Sequence, residues 1–243
     1  MNNQKEITSL VELNQTTKIF GNKEVKTVAV DRVSLQAFPG ELLLLLGPSG
    51  SGKTTLLTLI AGLAEPTSGT VSLFGINIRH YPPKELQKLR AARIGFIFQT
   101  FLLIDSLTVL ENVGVVLRFT GKSKKPAREK AMNLLKDFHI DHLANKFPYC
   151  LSQGEKQRVA IARAIANDTE LILADEPTGS LESKQGMHII KLLNHLAKEK
   201  NKCVIISTHD LRLVEHADRI IHLEDGKIIR CQQVQSQWEQ RRN

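Results

Sequence analysis

Apolar positions along the chain fall into patterns that predict strands. Val25–Ala37 alternates apolar and polar residues, which is the period of a strand with one buried face. Glu41–Leu46 is apolar after its first residue and ends at Gly-Pro, as expected of a strand buried on both faces. Two later apolar runs, Leu171–Ala174 and Cys203–Ser207, predict further strands.

The middle of the chain has a helical pattern instead. Thr108 and Glu111 have the spacing of a capping box at a helix start. We predict a helical insertion at about residues 90–165, between two parts that contain strands. Helices are also predicted at Lys53–Ala61 and Ser183–Lys200. The helical segments of the middle part are Lys84–Arg93, Thr108–Arg118, Pro126–Phe138 and Ser152–Asn167.

The last predicted element is a hairpin. Arg219–Glu224 and Lys227–Arg230 flank an Asp-Gly pair, which is typical of a two-residue turn between antiparallel strands. Polar residues rich in Gln and Arg follow from Cys231 to Asn243 and predict a frayed end. We therefore expect one domain over residues 7–232 and a polar tail over 233–243.

Composition bounds the class of protein. Of 243 residues, 42% are hydrophobic and 24% are charged, as in ordinary globular proteins. The longest aliphatic run, Leu42–Leu46, is far shorter than the roughly 20 apolar residues that span a bilayer. The N-terminal residues lack the basic end and apolar core of a signal peptide, so we expect a cytoplasmic protein. Three separated cysteines, Cys150, Cys203 and Cys231, are expected to be free thiols.

The chain is basic, with a net charge of +8. Such a balance suits nucleic acid, an anionic membrane surface or an anionic ligand, but also a plain solvated surface. The densest basic run is Lys122–Lys130, where Pro126 fits the first turn of a helix and the lysines are expected in the loop before it. This run is either a solvated loop or a surface that faces a membrane or a partner.

A glycine-rich loop after the second predicted strand matches G-x-x-x-x-G-K-[ST] in full. Its glycines let backbone N–H groups turn towards phosphates, and the following helix directs its positive end to the same place. Lys53 is expected to reach the terminal phosphates and the Thr54 hydroxyl to ligate Mg²⁺. The loop alone leaves kinases, GTPases and many ATPases open. The predicted phosphate-binding residues are Gly47, Pro48, Ser49, Gly50, Ser51, Gly52, Lys53, Thr54 and Thr55.

A second acidic site follows the strand at 171–174. Asp175 and Glu176 stand at the end of this apolar run. We predict that Asp175 holds the metal through its water shell. Glu176 is expected to polarise the attacking water as general base.

Leu151-Ser-Gln-Gly-Glu155, with the following Lys-Gln-Arg-Val-Ala-Ile-Ala-Arg163, resembles the signature sequence of ABC ATPases. That signature occurs in no other P-loop family, and the resemblance extends from about Val11 to Arg230. It implies an α/β fold: a P-loop NTPase core with an antiparallel β subdomain and a helical signature subdomain. The resemblance also implies ATP as ligand and Mg²⁺ as its metal.

The resemblance assigns further roles. Phe20 matches the aromatic residue that stacks on adenine, and His209 the switch histidine that contacts the γ-phosphate. Gln99 matches the glutamine that links metal, water and the membrane partner. The expected catalytic residues are Glu176, His209 and Gln99, and the expected metal residues are Thr54, Gln99 and Asp175. Signature residues expected to contact the nucleotide of a second copy are Ser152, Gln153, Gly154 and Glu155.

Several segments resemble a narrower branch, which includes the lipoprotein-release, macrolide-efflux and cell-division ATPases. They are Ala174–Gly179, Phe98–Gln99 with the following Leu102–Leu103 and Leu107–Val113, and Pro66–Thr70. The chain also departs from the family pattern. Gln153 replaces the first signature glycine, Glu182 replaces the usual aspartate of the D-loop, and Lys156 adds a positive charge to the signature helix. We interpret these changes as altering the rate of ATP hydrolysis without abolishing it.

The resemblance implies a pair of identical cassettes that sandwich ATP and act on an integral membrane permease. The chain would then be peripheral on the cytoplasmic face of the inner or plasma membrane. One alternative is a regulatory or mechanotransmission ATPase that moves no substrate. A nucleic-acid ABC ATPase usually carries coiled-coil or zinc insertions or a second cassette, so no nucleic-acid partner is expected. The cargo is not encoded in this chain.

Overall fold

The computed structural model describes residues 8–21 and 25–234, where the chain forms two β-sheets and six α-helices. The strands are β1 (Val11–Gly21), β2 (Lys26–Ala37), β3 (Leu42–Leu46), β4 (Ser68–Leu73), β5 (Ile76–Asn77), β6 (Ile94–Ile97), β7 (Leu171–Asp175), β8 (Cys203–Thr208), β9 (Arg219–Glu224) and β10 (Lys227–Gln233). The helices are α1 (Lys53–Ile60), α2 (Pro83–Arg93), α3 (Val109–Phe119), α4 (Lys124–Asp137), α5 (Gln153–Ile165) and α6 (Ser183–Lys198). In these ranges, no helix combines the length and apolarity that a membrane crossing requires.

The smaller sheet is antiparallel and has the strand order β2-β1-β4-β5. The predicted strand at 25–37 is confirmed as β2, and its partner β1 pairs with it from Val11 opposite Ala37 to Gly21 opposite Lys26. The apolar pattern does not predict β1. Its register shifts between Leu13 and Thr16 and again before Ile19, so its buried positions do not alternate evenly.

The larger sheet has the order β10-β9-β3-β8-β7-β6, with only β10 antiparallel to its neighbour in the described part. The continuous apolar runs form its central strands β3, β7 and β8, which are buried along their whole length. The hairpin of β9 and β10 is confirmed, with both turn residues at positive φ. The expected α/β fold with a P-loop NTPase core is thus present.

The two faces of β3 belong to two hydrophobic clusters. Leu42, Leu44 and Leu46 pack with side chains from α3 to α6. Leu43 and Leu45 pack with α1 and with the inner face of the antiparallel sheet. Since successive side chains of a strand point to opposite faces, β3 is the shared centre of both clusters. The carboxyl end of β3, where the glycine loop begins, is therefore held from both sides.

The helices α3, α4 and α5 lie between β6 and β7 in the chain. Ile94–Ile97, within the range 90–165 that we predict as a helical insertion, is instead strand β6 beside β7. This run of four residues is too short to show a strand period. The capping box is confirmed, because Thr108 and Glu111 exchange both hydrogen bonds at the start of α3.

Two predicted boundaries are corrected. Lys124 and Lys125 lie in the first turn of α4 rather than in the preceding loop. Pro126 is tolerated there, because the first N–H groups of a helix have no partner within the helix. Cys231–Gln233 continue β10 opposite Arg219–Ile221 rather than fraying. The rest of the predicted tail, from residue 235, lies outside the described residues, as does residue 7.

Candidate functional site

The loop Gly47–Thr54 connects the buried end of β3 to α1. Gly52 has a φ of 98° at the helix start, a conformation that side chains disfavour. A Cβ on Gly52 would lie 2.2 Å from the carbonyl oxygen of Ala29, and one on Gly47 would lie 2.1 Å from that of Leu223. The loop is thus wedged between β2 and β9, which explains why both positions need glycine.

Lys53 bends back over this loop. Its side chain is buried, and Nζ donates to the carbonyl oxygens of Gly47 and Pro48, at 2.8 Å each. The first turn of α1 carries no acidic residue that would offset the positive end of the helix. A lysine ammonium and free helix N–H groups form a positive pocket suited to phosphates. The hydroxyl Oγ of Ser51 is buried there with no protein partner in the described part, which leaves it free to contact a ligand.

Thr54 and Asp175 are brought together from α1 and the end of β7. The Thr54 hydroxyl donates to the two carboxylate oxygens of Asp175 at 2.9 and 3.1 Å. The hydroxyl of Ser207, opposite Asp175 in β8, donates to the same carboxylate. A buried carboxylate flanked by hydroxyl oxygens is a donor set that fits Mg²⁺. The structure therefore places the two residues predicted to hold the metal side by side, and Ser207 joins them.

Glu176 follows immediately and has a strained backbone, with φ at 46°. Its N–H donates to the carbonyl oxygen of Ser207 at 3.0 Å. The Thr208 hydroxyl lies 3.2 Å from Oε2, and Nδ1 of His209 lies 2.9 Å from Oε1. An ionised carboxylate only accepts hydrogen bonds, so Nδ1 of His209 is the donor in this contact. The side chain of Glu176 is 12% exposed and that of His209 is 67% exposed, so the histidine covers the carboxylate.

Gln99 and Phe20 lie at the margins of this group. Gln99 is exposed just after β6, and a Cβ built on Gly179 would lie 3.8 Å from its Nε2. The structure thus sets Gln99 beside the turn that follows Glu176, but no hydrogen bond joins it to Asp175 among the described residues. Phe20 is 47% exposed at the end of β1, with the ammonium of Lys18 5.1 Å from its ring centre.

The signature residues form the start of α5. Ser152 is the N-cap: its N–H donates to the carboxylate of Glu155 at 2.8 Å, and its hydroxyl accepts from the Glu155 N–H. Burial acts to raise the pKa of Glu155, but the hydrogen bonds from Ser152 outweigh it and hold the pKa below its usual value. Gly154 is buried against Gln185, where a Cβ would lie 2.6 Å from the amide oxygen. Gln153 is exposed.

The signature stands apart from the phosphate loop of the same chain. Over residues 8–21 and 25–234, no hydrogen bond joins Ser152–Glu155 to Gly47–Thr54. Within the chain, α5 instead contacts the acidic site, because Nε2 of Gln157 donates to the carbonyl oxygen of Pro177 at 2.8 Å. The structure therefore brings together the loop, Asp175, Glu176 and His209, and leaves the signature with its exposed end free.

Sequence reasoning missed two sets of contacts. The hydroxyls of Ser207 and Thr208 hold the two acids, and the signal for them was a pair of hydroxyl residues that ends an apolar strand. The hairpin turn also supports the phosphate loop, because the N–H of Gly226 donates to the carbonyl oxygen of Ser51 at 3.0 Å. Its Asp-Gly signal predicted a turn, but nothing in the sequence indicated what the turn contacts.

Comparison with known proteins bears on this geometry. Residues 30–179 match the protein-family model described as ABC transporter. The ATP-binding protein MJ0796 of Methanocaldococcus jannaschii is 42% identical over 91% of this chain and 96% of that protein. One chain of its dimer in a post-hydrolysis state with ADP and Pi matches this chain with a TM-score of 0.87, at 41% identity, over 93% of this chain and 99% of that chain.

Two further relatives belong to larger assemblies. The macrolide export ATP-binding/permease protein MacB of Hyphomonas neptunium is 40% identical over 90% of this chain, which spans 34% of that longer protein. The cbiO1 protein from Clostridium perfringens, part of the ABC transporter complex cbiONQ, has a TM-score of 0.81 at 29% identity. This match covers 93% of the present chain and 88% of that chain.

Proposed function

The chain belongs to the ABC transporter family, and we propose that it is the ATP-binding and ATP-hydrolysing subunit that drives a separate membrane permease. One observation carries the proposal: the Thr54–Asp175 pair adjoins the carboxylate of Glu176 beside the phosphate loop. A hydrolase for a phosphate anhydride needs a positive pocket, a metal position and a base within one small space. These groups meet at the carboxyl edge of the larger sheet.

We assign ATP binding to the loop Gly47–Thr54 with Thr55. In this assignment Lys53 exchanges its bonds to the loop carbonyls for bonds to terminal phosphate oxygens. Thr54, Asp175 and Gln99 are the residues that would hold Mg²⁺, and the bound metal would neutralise part of the phosphate charge. Phe20, half exposed at the end of β1, is assigned to the face of the adenine ring.

We assign the general base to Glu176. Its carboxylate is largely covered, and Thr208 and His209 fix both of its oxygens, so it is oriented to accept a proton from an attacking water. His209 keeps Nδ1 on the carboxylate and presents its other ring nitrogen outward, towards the γ-phosphate position. Gln99 stands next to the same turn and is assigned to orient the water.

The functional unit in this proposal is a homodimer. In the described part of the chain, Ser152–Glu155 has no hydrogen bond to its own phosphate loop, whereas the capped start of α5 offers free N–H groups and a positive helix end. These are the groups that a γ-phosphate bound to a second copy would need. The MJ0796 cassette with ADP and Pi is a dimer, which supports the same arrangement.

We further propose a permease partner and a site on the cytoplasmic face of the inner or plasma membrane. MacB carries an ATP-binding and a permease part in one protein, and cbiO1 belongs to a transporter complex. We assign residues 7–232 to a single ATPase domain and residues 233–243 to a tail.

A regulatory ATPase that transmits force without moving a substrate is the alternative. Both versions use the same nucleotide site, so the site cannot separate them. Reconstitution with the permease distinguishes the two functions. Cargo accumulation coupled to ATP hydrolysis supports transport, whereas hydrolysis coupled only to a shape change of the partner supports mechanotransmission.

The test of the nucleotide site is Lys53→Ala. A charge-assisted hydrogen bond contributes roughly 1.5–3 kcal/mol, so ATP affinity should fall by about 10- to 100-fold. Equilibrium binding of a fluorescent ATP analogue measures this, with the exposed Lys88→Ala on α2 as the matched control. If the Lys53 variant and the control bind ATP with equal affinity, the loop is not the ATP-binding site.

A further inference from the structure

A dense group of cations lies on the helical part of the molecule, outside the residues assigned to the ATP site. Residues 118–130, from the end of α3 into α4, contain six Lys or Arg and one acidic residue, Glu129, for a net charge of +5. The whole chain carries +8, so these thirteen residues supply more than half of its charge. The proposed ATPase chemistry uses none of them.

One of these six cations forms an ion pair within the described ranges. Lys130 forms an ion pair with Asp168. The other five side chains are exposed, and none of them takes part in an ion pair or a side-chain hydrogen bond within the described ranges. We call this set the basic ridge: Arg118, Lys122, Lys124, Lys125 and Arg128.

The basic ridge borders a groove between α3 and α4 with a volume of about 230 Å³. The groove also contains the carboxylate of Glu111. Hydrogen bonds from Thr108 lower the pKa of that carboxylate first, and the charges of Arg128 and Lys124 lower it further. The remaining lining combines apolar surface with the ridge, and includes Leu110, Val115, Arg118, Lys124 and Arg128.

A large aromatic side chain ends α3 directly after the first residue of the basic ridge and lines a second groove, with Leu102, Ile104 and Val116. Phe119, which follows Arg118, is 76% exposed, the highest value among the exposed large hydrophobic residues of the described part. An aromatic ring in that position leaves apolar surface in water. Aromatic rings favour the interface of a bilayer, where anionic headgroups also attract lysine and arginine.

We propose that the basic ridge and Phe119 bind the surface of a bilayer that contains anionic phospholipids. The cations attract headgroup phosphates, and Phe119 enters the interfacial layer next to them. Because the lysines are distributed over a loop and a helix turn, they suit contact with many headgroup phosphates at once better than contact with a single carboxylate of a protein partner. The proposal does not depend on ATP hydrolysis, since no residue of the ridge belongs to the nucleotide site.

Co-sedimentation of the full chain with vesicles tests the proposal, at about 0.1 M salt, where charges act over about 10 Å. The protein should bind vesicles of phosphatidylglycerol and phosphatidylcholine but not vesicles of phosphatidylcholine alone. Each basic residue near an anionic surface contributes about fivefold in affinity, so Lys124→Gln with Arg128→Gln should weaken binding about 25-fold. The matched control is Lys84→Gln with Lys88→Gln, which removes two exposed cations from α2.

The substitution Phe119→Ser distinguishes binding to a bilayer from binding to any other polyanion. It should weaken vesicle binding several-fold while leaving binding to heparin unchanged, because heparin offers charge without an apolar layer. Equal losses in the ridge and control variants would overturn the proposal. So would binding that requires vesicles containing a reconstituted permease, which would make the surface a protein-docking face. ATP hydrolysis in solution should be the same in all these variants, so failure here is distinct from failure of the ATPase assignment.

Discussion

Replacement of Glu176 by Gln tests the role of the proposed base while leaving the rest of the site unchanged. Glutamine has the shape of glutamate and keeps an oxygen that can accept from Nδ1 of His209, now 2.9 Å from Oε1. The second oxygen becomes an amide nitrogen, so the Thr208 contact at 3.2 Å must reverse, with the amide donating to the hydroxyl oxygen, and this change costs roughly 1 kcal/mol of folding stability. The backbone at φ 46° is retained, because the side chain is the same size. The fold should therefore survive the change.

The loss of rate is expected to be much larger. A positioned general base contributes about 10²- to 10⁴-fold, which corresponds to roughly 3–5 kcal/mol of activation free energy. Glu176→Gln should lower the rate of phosphate release at saturating ATP by that factor. ATP affinity should be kept, because the phosphate loop and Asp175 are untouched. In the proposed dimer, the variant should then accumulate as an ATP-bound pair.

Three measurements check this prediction. Phosphate release gives the rate, equilibrium binding gives the ATP affinity, and size-exclusion chromatography with ATP gives the oligomeric state. The exposed Glu85→Gln on α2 makes the same chemical change outside the site and serves as control. A folded Glu176→Gln protein that turns over within about tenfold of the control would show that another group is the base.

Three other changes probe the metal position, the support of the loop and a structural ion pair. Thr54→Val removes the hydroxyl donated to Asp175 and should raise the Mg²⁺ concentration needed for half-maximal hydrolysis at least about tenfold, and an unchanged Mg²⁺ dependence would contradict this assignment. Gly226→Ala adds a Cβ 2.9 Å from a carbonyl oxygen at φ 75°, so it should cost about 1–2 kcal/mol in thermal unfolding and also weaken ATP binding; a loss of stability alone would mean that the turn does not support the loop. The hydrogen bond from Arg93 holds the pKa of Glu170 below its usual value, so this pair stabilises the fold above the usual glutamate range and the effect disappears as pH falls through the lowered pKa. Glu170→Gln should remove at most about 1 kcal/mol of pH-dependent stability, because the pair is partly exposed. If the variant and the unchanged protein show the same dependence of unfolding on pH, the pair is not the cause of that dependence.

The elements predicted most closely are those in which one local signal decides the structure. The apolar run at Leu42–Leu46 has to be buried on both faces, so it forms the central strand β3. The glycines and Lys53 after it then set a turn and a helix start. The same holds for the capping box at Thr108 and for the Asp-Gly turn between β9 and β10. In each case, residues within a few positions of one another determine the conformation.

The sequence was less informative where distant segments decide the structure. Strand β1 is held by β2 and β4 on its two edges and contains register shifts, so its apolar pattern is irregular. The carbonyl oxygens of Ala29 and Leu223 limit the space around the phosphate loop, but a carbonyl group is the same in every residue. Ser207 reaches Asp175 only because β7 and β8 are adjacent and in register. Such contacts follow from the topology, which one sequence does not specify.

One buried hydrogen bond connects the two halves of the proposed composite site within the chain. Gln157 donates to the carbonyl oxygen of Pro177, the residue directly after Glu176. Gln157 lies five residues into α5 after Ser152, which is about 7.5 Å along the helix axis. A rotation of α5 must therefore either break this buried bond or move the backbone that carries the base. In the proposed dimer, one and a half turns of a single helix therefore couple the position of the signature, which would face the second copy, to the position of Glu176, which would act on the chain's own nucleotide.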